Sequence, residues 1–246
     1  MRIPLSGAVW AGLLLAGAAI AAGPGPAEQV YRLSWAGLDV GAARLVLAPQ
    51  EDEGAVAIRV EACSTGLADV LYPVADHFAG RARITDTGVQ PREYRAERQE
   101  NGDRTRKRID FQSAPGQALF ATPNEDGRKA LELEGRTYDY LSALLALSQN
   151  PPAVAEVREL PVISGREVVR LRAKGQAIQV RDGIRVREIR LTRPDDDKTF
   201  TLWLPMRGES RTDLPRRLHV AANFGTIRAR PAEGMPCSVS SGDGAS

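Results

Sequence analysis

Over most of its length the chain alternates apolar and polar residues with period two, and Gly, Pro, Asn and Asp interrupt the alternation at short intervals. Tyr31, Leu33 and Trp35 share one face of a first strand over residues 29–35. Ala36-Gly37-Leu38-Asp39 turns the chain, and Ala43, Leu45 and Leu47 carry the inward face of a second strand. Gly41 inside that strand predicts a bulge or a close backbone contact. Val56, Ile58 and Val60 alternate with Arg59 and Glu61 in a third, which Gly66 breaks, leaving Leu67, Val70 and Leu71 for a short helical turn or an edge bend. Residues 78–85, 92–98, 104–111 and 118–121 continue a meander with a hairpin signal at Asn101-Gly102-Asp103, and 124–127 reads as the loop before a helix.

That helix is the one exception to the strand pattern. Over residues 137–148, Tyr138, Leu141, Leu144 and Leu145 recur at three-and-four spacing on one stripe. Thr137 or Asp139 supplies an N-cap, and Asn150-Pro151-Pro152 stops the helix, because proline lacks the amide donor and clashes with the preceding turn. Strands resume at 157–163, 168–172, 178–181 and 184–191, with Gly165, Gly175 and Asp182-Gly183 as turns, and again at 200–204, 214–221 and 226–230. Phe200, Leu202 and Leu204 share one face with Trp203 on the other. About a dozen short strands and one helix predict a mainly β fold: an antiparallel sheet forming an open barrel or sandwich, packed around a single mid-chain α-helix.

The two ends change the picture. Arg2 begins a positive n-region, residues 5–20 are uncharged and rich in Leu, Ala and Val, and Ala19-Ile20-Ala21 has small residues where signal peptidase requires them. Residues 1–22 read as a cleavable signal peptide and 29–230 as one β-rich domain, followed by a tail, 231–246, that reads as disordered. The mature chain is expected in the periplasm, and not as an integral membrane protein. In that oxidising compartment the two cysteines, Cys63 and Cys237, can pair. Without Arg2, 32 basic residues face 31 acidic ones, which excludes a general nucleic-acid binder. Two stretches, 92–108 and 158–193, are locally basic; they read as solvated strand faces, or more sharply as a docking surface for anionic head groups or acidic glycans.

In order along the chain come Tyr31-x-Leu-x-Trp35-x-Gly37-x-x-x-Gly41, Gly66 with Leu71-Tyr72-x-Val74-x-Asp76, and Asp139-x-Leu141-Ser142-x-Leu144. Leu202-Trp203-Leu204, Leu214-Pro215-x-Arg217-Leu218 and Phe224-Gly225 follow. This succession, spanning about residues 29–230, resembles the bacterial exported family called domain of unknown function 3108. The resemblance implies a periplasmic, β-rich, single-domain protein and brings no activity or catalytic residues with it. In layout alone the pattern is also similar to periplasmic lipoprotein carriers, whose open barrel holds acyl chains under a helix.

Motifs for chemistry are sparse. The sequence has no Gly-x-Ser-x-Gly elbow, phosphate loop or zinc-protease helix motif, and two histidines with two distant cysteines do not make a metal cluster. No cofactor is expected. Asp76-His77 is the best acid–base candidate, although a histidine beside Phe78 in a strand is more often a packing or edge residue. His219, between Leu218 and Val220, reads as solvent-facing, and Asp139 has a sufficient role at the helix start. Tyr138, Tyr140, Leu141, Leu144 and Trp35 are the candidate ligand contacts. They belong to a non-enzymatic envelope protein holding a hydrophobic or amphipathic ligand, such as a lipid, in a concave sheet, which requires a cavity of several hundred cubic ångströms. The alternative is an interaction or scaffold domain for another envelope protein, with a filled interior and its partner on an exposed edge or basic face. A hydrolase using Asp76 and His77 requires both side chains in one cleft.

Overall fold

The structure is a computed structural model, described here for residues 26–114, 116–122, 128–194, 196–206, 214–222 and 225–234. The expected signal peptide and all of the tail beyond 234, Cys237 included, lie outside these residues. The elements are β1 (Ala27–Trp35), β2 (Leu38–Pro49), β3 (Ala55–Ser64), α1 (Gly66–Leu71), β4 (Val74–Thr85), β5 (Gly88–Glu100), β6 (Asp103–Ala114), β7 (Gln117–Ala121) and β8 (Arg128–Glu132). There follow α2 (Tyr140–Gln149), β9 (Val157–Ser164), β10 (Glu167–Arg181), β11 (Ile184–Arg193), β12 (Asp196–Pro205), β13 (Arg217–Ala222) and β14 (Gly225–Ala232).

All fourteen strands form one antiparallel sheet in the order β8-β7-β6-β5-β4-β3-β2-β1-β14-β13-β12-β11-β10-β9. It is one sheet, not two packed sheets: two meanders joined where β1 pairs with β14, Tyr31 opposite Pro231 and Leu33 opposite Ala229. The edges, β8 and β9, do not pair with each other, so the barrel stays open, and the segment carrying α2 connects them. Just before the helix, Tyr138 N–H donates to Pro161 O (2.9 Å) and Ile163 N–H to Tyr138 O (2.8 Å). These bonds cover part of the β9 edge, which would otherwise present unpaired backbone groups.

The sheet alternation is the expected one. Val56, Ile58, Val60 and Ala62 of β3 are buried and pack in the core with Leu45 and Leu47 of β2 and Phe78 of β4. Gly41 is a close-approach site, since a Cβ there would overlap the carbonyl oxygen of Cys63, and the β1–β2 register shifts opposite it, between Leu33 and Ser34. One expectation of the strand pattern needs correction. Gly175 is not a turn: β10 runs through it with a register shift between Gly175 and Ile178. Its missing side chain lets the 153–156 segment cross the strand, Ala155 N–H donating to Gly175 O (2.8 Å) and Gly175 N–H to Glu156 O (3.0 Å); a Cβ would collide with Ala153 O. The expected loop, 124–127, lies outside the described residues; just after it Arg128–Glu132, which the alternation left unassigned, pairs with β7 as β8, with only Leu131 buried.

The helix begins at Tyr140. Asp139 is its N-cap, accepting from Leu141 N–H (2.8 Å) and Ser142 N–H (3.0 Å), while Ser142 Oγ accepts from Asp139 N–H (3.0 Å). This reciprocal box satisfies donors that a buried helix end would otherwise leave unpaired. The helix is also not amphipathic in place. Tyr140, Leu141, Ser142, Ala143, Leu144, Leu145, Leu147 and Ser148 are all buried, so protein surrounds it on nearly every side. It packs on β4, β5 and β9, and Gly80 of β4 makes the room, since a Cβ there would stand 3.2 Å from Leu141 Cδ1.

Burial of this kind makes the helix leucines costly to change. Leu145→Ala should lower stability by about 2–5 kcal/mol, and Leu145→Asp should abolish cooperative unfolding and the near-UV circular dichroism. A near-UV spectrum and a urea midpoint unchanged in the Asp variant would contradict this packing.

Candidate functional site

The structure brings four of the five candidate ligand contacts together. Tyr138, Tyr140, Leu141 and Leu144 are buried in the common core. Trp35 is elsewhere, at the end of β1, with its indole against Gly225. The space left where Tyr140, Ala143, Leu144 and Leu147 meet Leu160, Leu171 and Leu191 is about 10 Å³, no more than the least that one water requires. The helix itself occupies the concave side of the sheet.

Asp76 and His77 are neighbours on β4 and therefore point to opposite faces. Asp76 is fully buried on the inner face, whereas His77 lines an outer groove, so the two cannot act on one substrate atom. Among the described residues neither Asp76 oxygen makes a hydrogen bond; Arg98 Nε lies 3.6 Å from Oδ1 and 2.8 Å from Glu100 Oε2 without hydrogen-bonding to either. Burial raises the Asp76 pKa from 3.8 to about 6, and the Arg98 charge opposes the rise only in part. His219 is half-buried, not solvent-facing. Its ring meets Trp203 edge-on at 4.5 Å, and burial, then the charges of Arg228, Arg230, Arg217 and Arg181, lower its pKa to about 4. Asp139 caps the helix as described, and burial raises its pKa against the bonds from Ser142 and Leu141. Cys63 is a disulfide half-cystine rather than a free thiol; its expected partner, Cys237, lies outside the described residues.

Concave space lies instead on the outer face of β2–β6, where a groove of about 1050 Å³ opens. Its floor is small and apolar, with Ala48, Ala57, Ala75 and Ala79 on alternate positions of β2, β3 and β4. Arg59, Arg81, Arg95, Arg104, Arg106 and Arg108 line it, against Glu61, Glu93 and Glu97. The register produces one row across five strands, Val46–Arg59–Ala79–Arg95–Arg108, in which Arg95 and Arg108 stand directly opposite each other. Facing like charges destabilise a sheet. Glu93 Oε1 holds the pair, accepting from Arg95 Nε (2.8 Å) and sitting 2.9 Å from Arg108 Nη2, and Glu97 is likewise shared by Arg104 and Arg106. Each glutamate thus serves two guanidiniums, and Arg59 and Arg81 make no ion pair among the described residues. The groove is left with surplus donors suited to carboxylate or phosphate oxygens. Sequence reading found the basic stretch 92–108 but not this row, because Arg59 is remote in sequence and only strand register places it there.

The family model for a protein of unknown function, DUF3108, matches residues 30–230. The chain belongs to this family. No curated protein matches it. Among solved structures, it is similar to a β-barrel-like protein of the family DUF1849 from Brucella abortus, at 12% identity and a TM-score of 0.53, over 85% of this chain and 96% of that one. A DUF1089 family protein from Pseudomonas aeruginosa aligns over 79% of this chain and 89% of its own at 12% identity, with a TM-score of 0.34. The Brucella structure supports the barrel-like fold of this DUF3108 chain. No helix among the described residues is long and apolar enough to cross a membrane.

Asp76 makes the stability of this DUF3108 protein depend on pH in a definite direction. A carboxyl whose folded pKa is raised favours the fold while protonated, so its contribution is full below about pH 4 and is lost as pH rises through about 6. The rise corresponds to about 3 kcal/mol. Asp76→Asn should therefore equal wild type in urea unfolding at pH 3.5 (roughly, just below the carboxyl's unfolded pKa) and exceed it at pH 7 by up to that amount. Parallel stability curves for the two proteins would contradict the burial of an ionisable Asp76.

Proposed function

We propose that this chain is a non-enzymatic protein of the periplasm that binds an anionic, amphipathic component of the cell envelope in the outer groove of β2–β6. The observation that carries the reading is the Arg59–Ala79–Arg95–Arg108 row: surplus guanidiniums beside an alanine floor. Such a surface offers oxygens a fork of donors and offers a short apolar chain a place to lie. The small space at the helix–sheet seam, set against the outer groove, supports the outer face rather than the concave interior as the binding surface. Export is supported by the signal-like first 22 residues, and a binding role rather than hydrolysis by the separation of Asp76 from His77. The interaction or scaffold reading draws on the same groove, with an acidic protein segment in place of the lipid.

Lysophosphatidylglycerol below its micelle concentration is a suitable probe. Calorimetric titration should show binding that weakens with salt, and Arg95→Ser with Arg108→Ser should weaken it at least about tenfold, as expected for losing charge-assisted hydrogen bonds. Neutral lysophosphatidylcholine should bind far less. Equal binding of the two lipids, or an undiminished double variant, would end the reading.

A further inference from the structure

The connection between β3 and β4 carries an apolar surface that the groove does not use. In α1, Leu67, Val70 and Leu71 are 69%, 79% and 72% exposed, and no residue of the helix is buried. Pro73 is exposed and Tyr72 half-exposed behind them. The helix packs against β2, and Thr65 N–H donates to Val40 O at 3.2 Å, which places it at the Trp35–Leu38 end of the first hairpin. There Leu38 is 65% and Trp35 39% exposed. The one charged residue of the segment, Asp69, turns back to its base, accepting from Ser64 Oγ at 2.7 Å, and Ser64 Oγ in turn accepts from Val74 N–H at 2.8 Å. The tip thus carries a single exposed charge, Asp69, tied to a pinned base.

We infer that α1 is a membrane-docking tip, which inserts Leu67, Val70 and Leu71 into the outer acyl region of an anionic bilayer while Trp35 and Tyr72 sit at the head groups. Two observations favour a bilayer over a protein partner. Six residues of helix span only about 9 Å, too little by itself for a stable protein interface, which needs on the order of 800 Å² from each side. A bilayer instead accepts apolar side chains singly, each adding to partition. Amphipathic aromatic rings beside exposed leucines match the layering of a membrane surface. The sign of the lipid follows from the groove, whose Arg104 and Ala75 end adjoins the start of β4, immediately after α1; for that sign alone the inference rests on the groove reading.

Flotation of the mature protein with phosphatidylglycerol-containing vesicles and with pure phosphatidylcholine vesicles tests it. The wild type should float with both, and better with the anionic ones at low salt. Leu67→Ser with Leu71→Ser should reduce flotation about tenfold or more with an unchanged melting temperature, since neither side chain is buried, and Val70→Trp should increase it. No flotation of the wild type, or undiminished flotation of the serine variant, would overturn the proposal. So would self-association of the wild type abolished by the same serines, which would assign the surface to a second copy of the chain. Arg95→Ser with Arg108→Ser should keep flotation on neutral vesicles. If it abolishes all flotation while the serine variant floats normally, the tip fails and the groove stands. If the wild type binds no lysolipid yet floats, and the serines remove that flotation, the groove fails and the tip stands.

Discussion

A ten-residue helix enclosed by protein on nearly all sides is the constraint on which this fold depends. Isolated helices of that length are marginal in water, so α2 exists because the sheet curls around it. The sheet in turn has two unpaired edges, β8 and β9, and stays curled because the segment carrying the helix ties one to the other. Each half supplies what the other lacks. The first turn shows how tightly this is specified: at that buried end the backbone groups have no water to turn to, whereas the other end opens at the exposed Asn150. Asp139 and Ser142 satisfy the first turn, and at the other end Asn150 N–H donates to Ala146 O (3.1 Å) while Ser148 Oγ donates to Leu144 O (3.0 Å). Leucine burial contributes most of the attraction, but these polar contacts decide where the helix starts and stops.

Period-two alternation was enough to recover most strands, because one face of this sheet is in the core and the other in solvent, the condition under which alternation is informative. It failed where that condition fails. Arg128–Glu132 is an edge strand with four of five side chains exposed, so it carries no alternation to read. The helix was legible from Leu141, Leu144 and Leu145, yet its enclosure was not: Ser142, Ala143 and Ser148 look like a solvent face, and only the structure shows them buried as the small residues that let strands approach. At Gly175 a glycine in a strand pattern has two meanings, turn or close approach, and the crossing segment that decides between them lies some twenty residues upstream.

The groove was the least legible feature, for a reason of register. Alternate arginines on β6 are visible in the sequence, but a charged row requires Arg59, Arg95 and Arg108 to fall on one line across the strands, and that alignment is set by the β3–β4, β4–β5 and β5–β6 pairings. The bulge between Arg81 and Ala82 opposite Glu93 and Pro91 adds an offset that no pattern reveals.

Strand β4 links the two halves of the molecule's chemistry. On its inner face Gly80 yields space to Leu141, and Asp76 is held without a hydrogen bond; on its outer face Ala75 and Ala79 yield the space that becomes the groove floor. Side chains on opposite faces of one strand share a backbone, so crowding on either side is felt on the other. A larger residue at position 80 would press on the helix through Leu141 and so on the inner surface of β4 and β5, whose outer surface carries Ala79 and Arg95. The seam between helix and sheet therefore does more than hold the barrel together: by fixing β4 against β5, it also fixes the spacing of the guanidiniums on the far side.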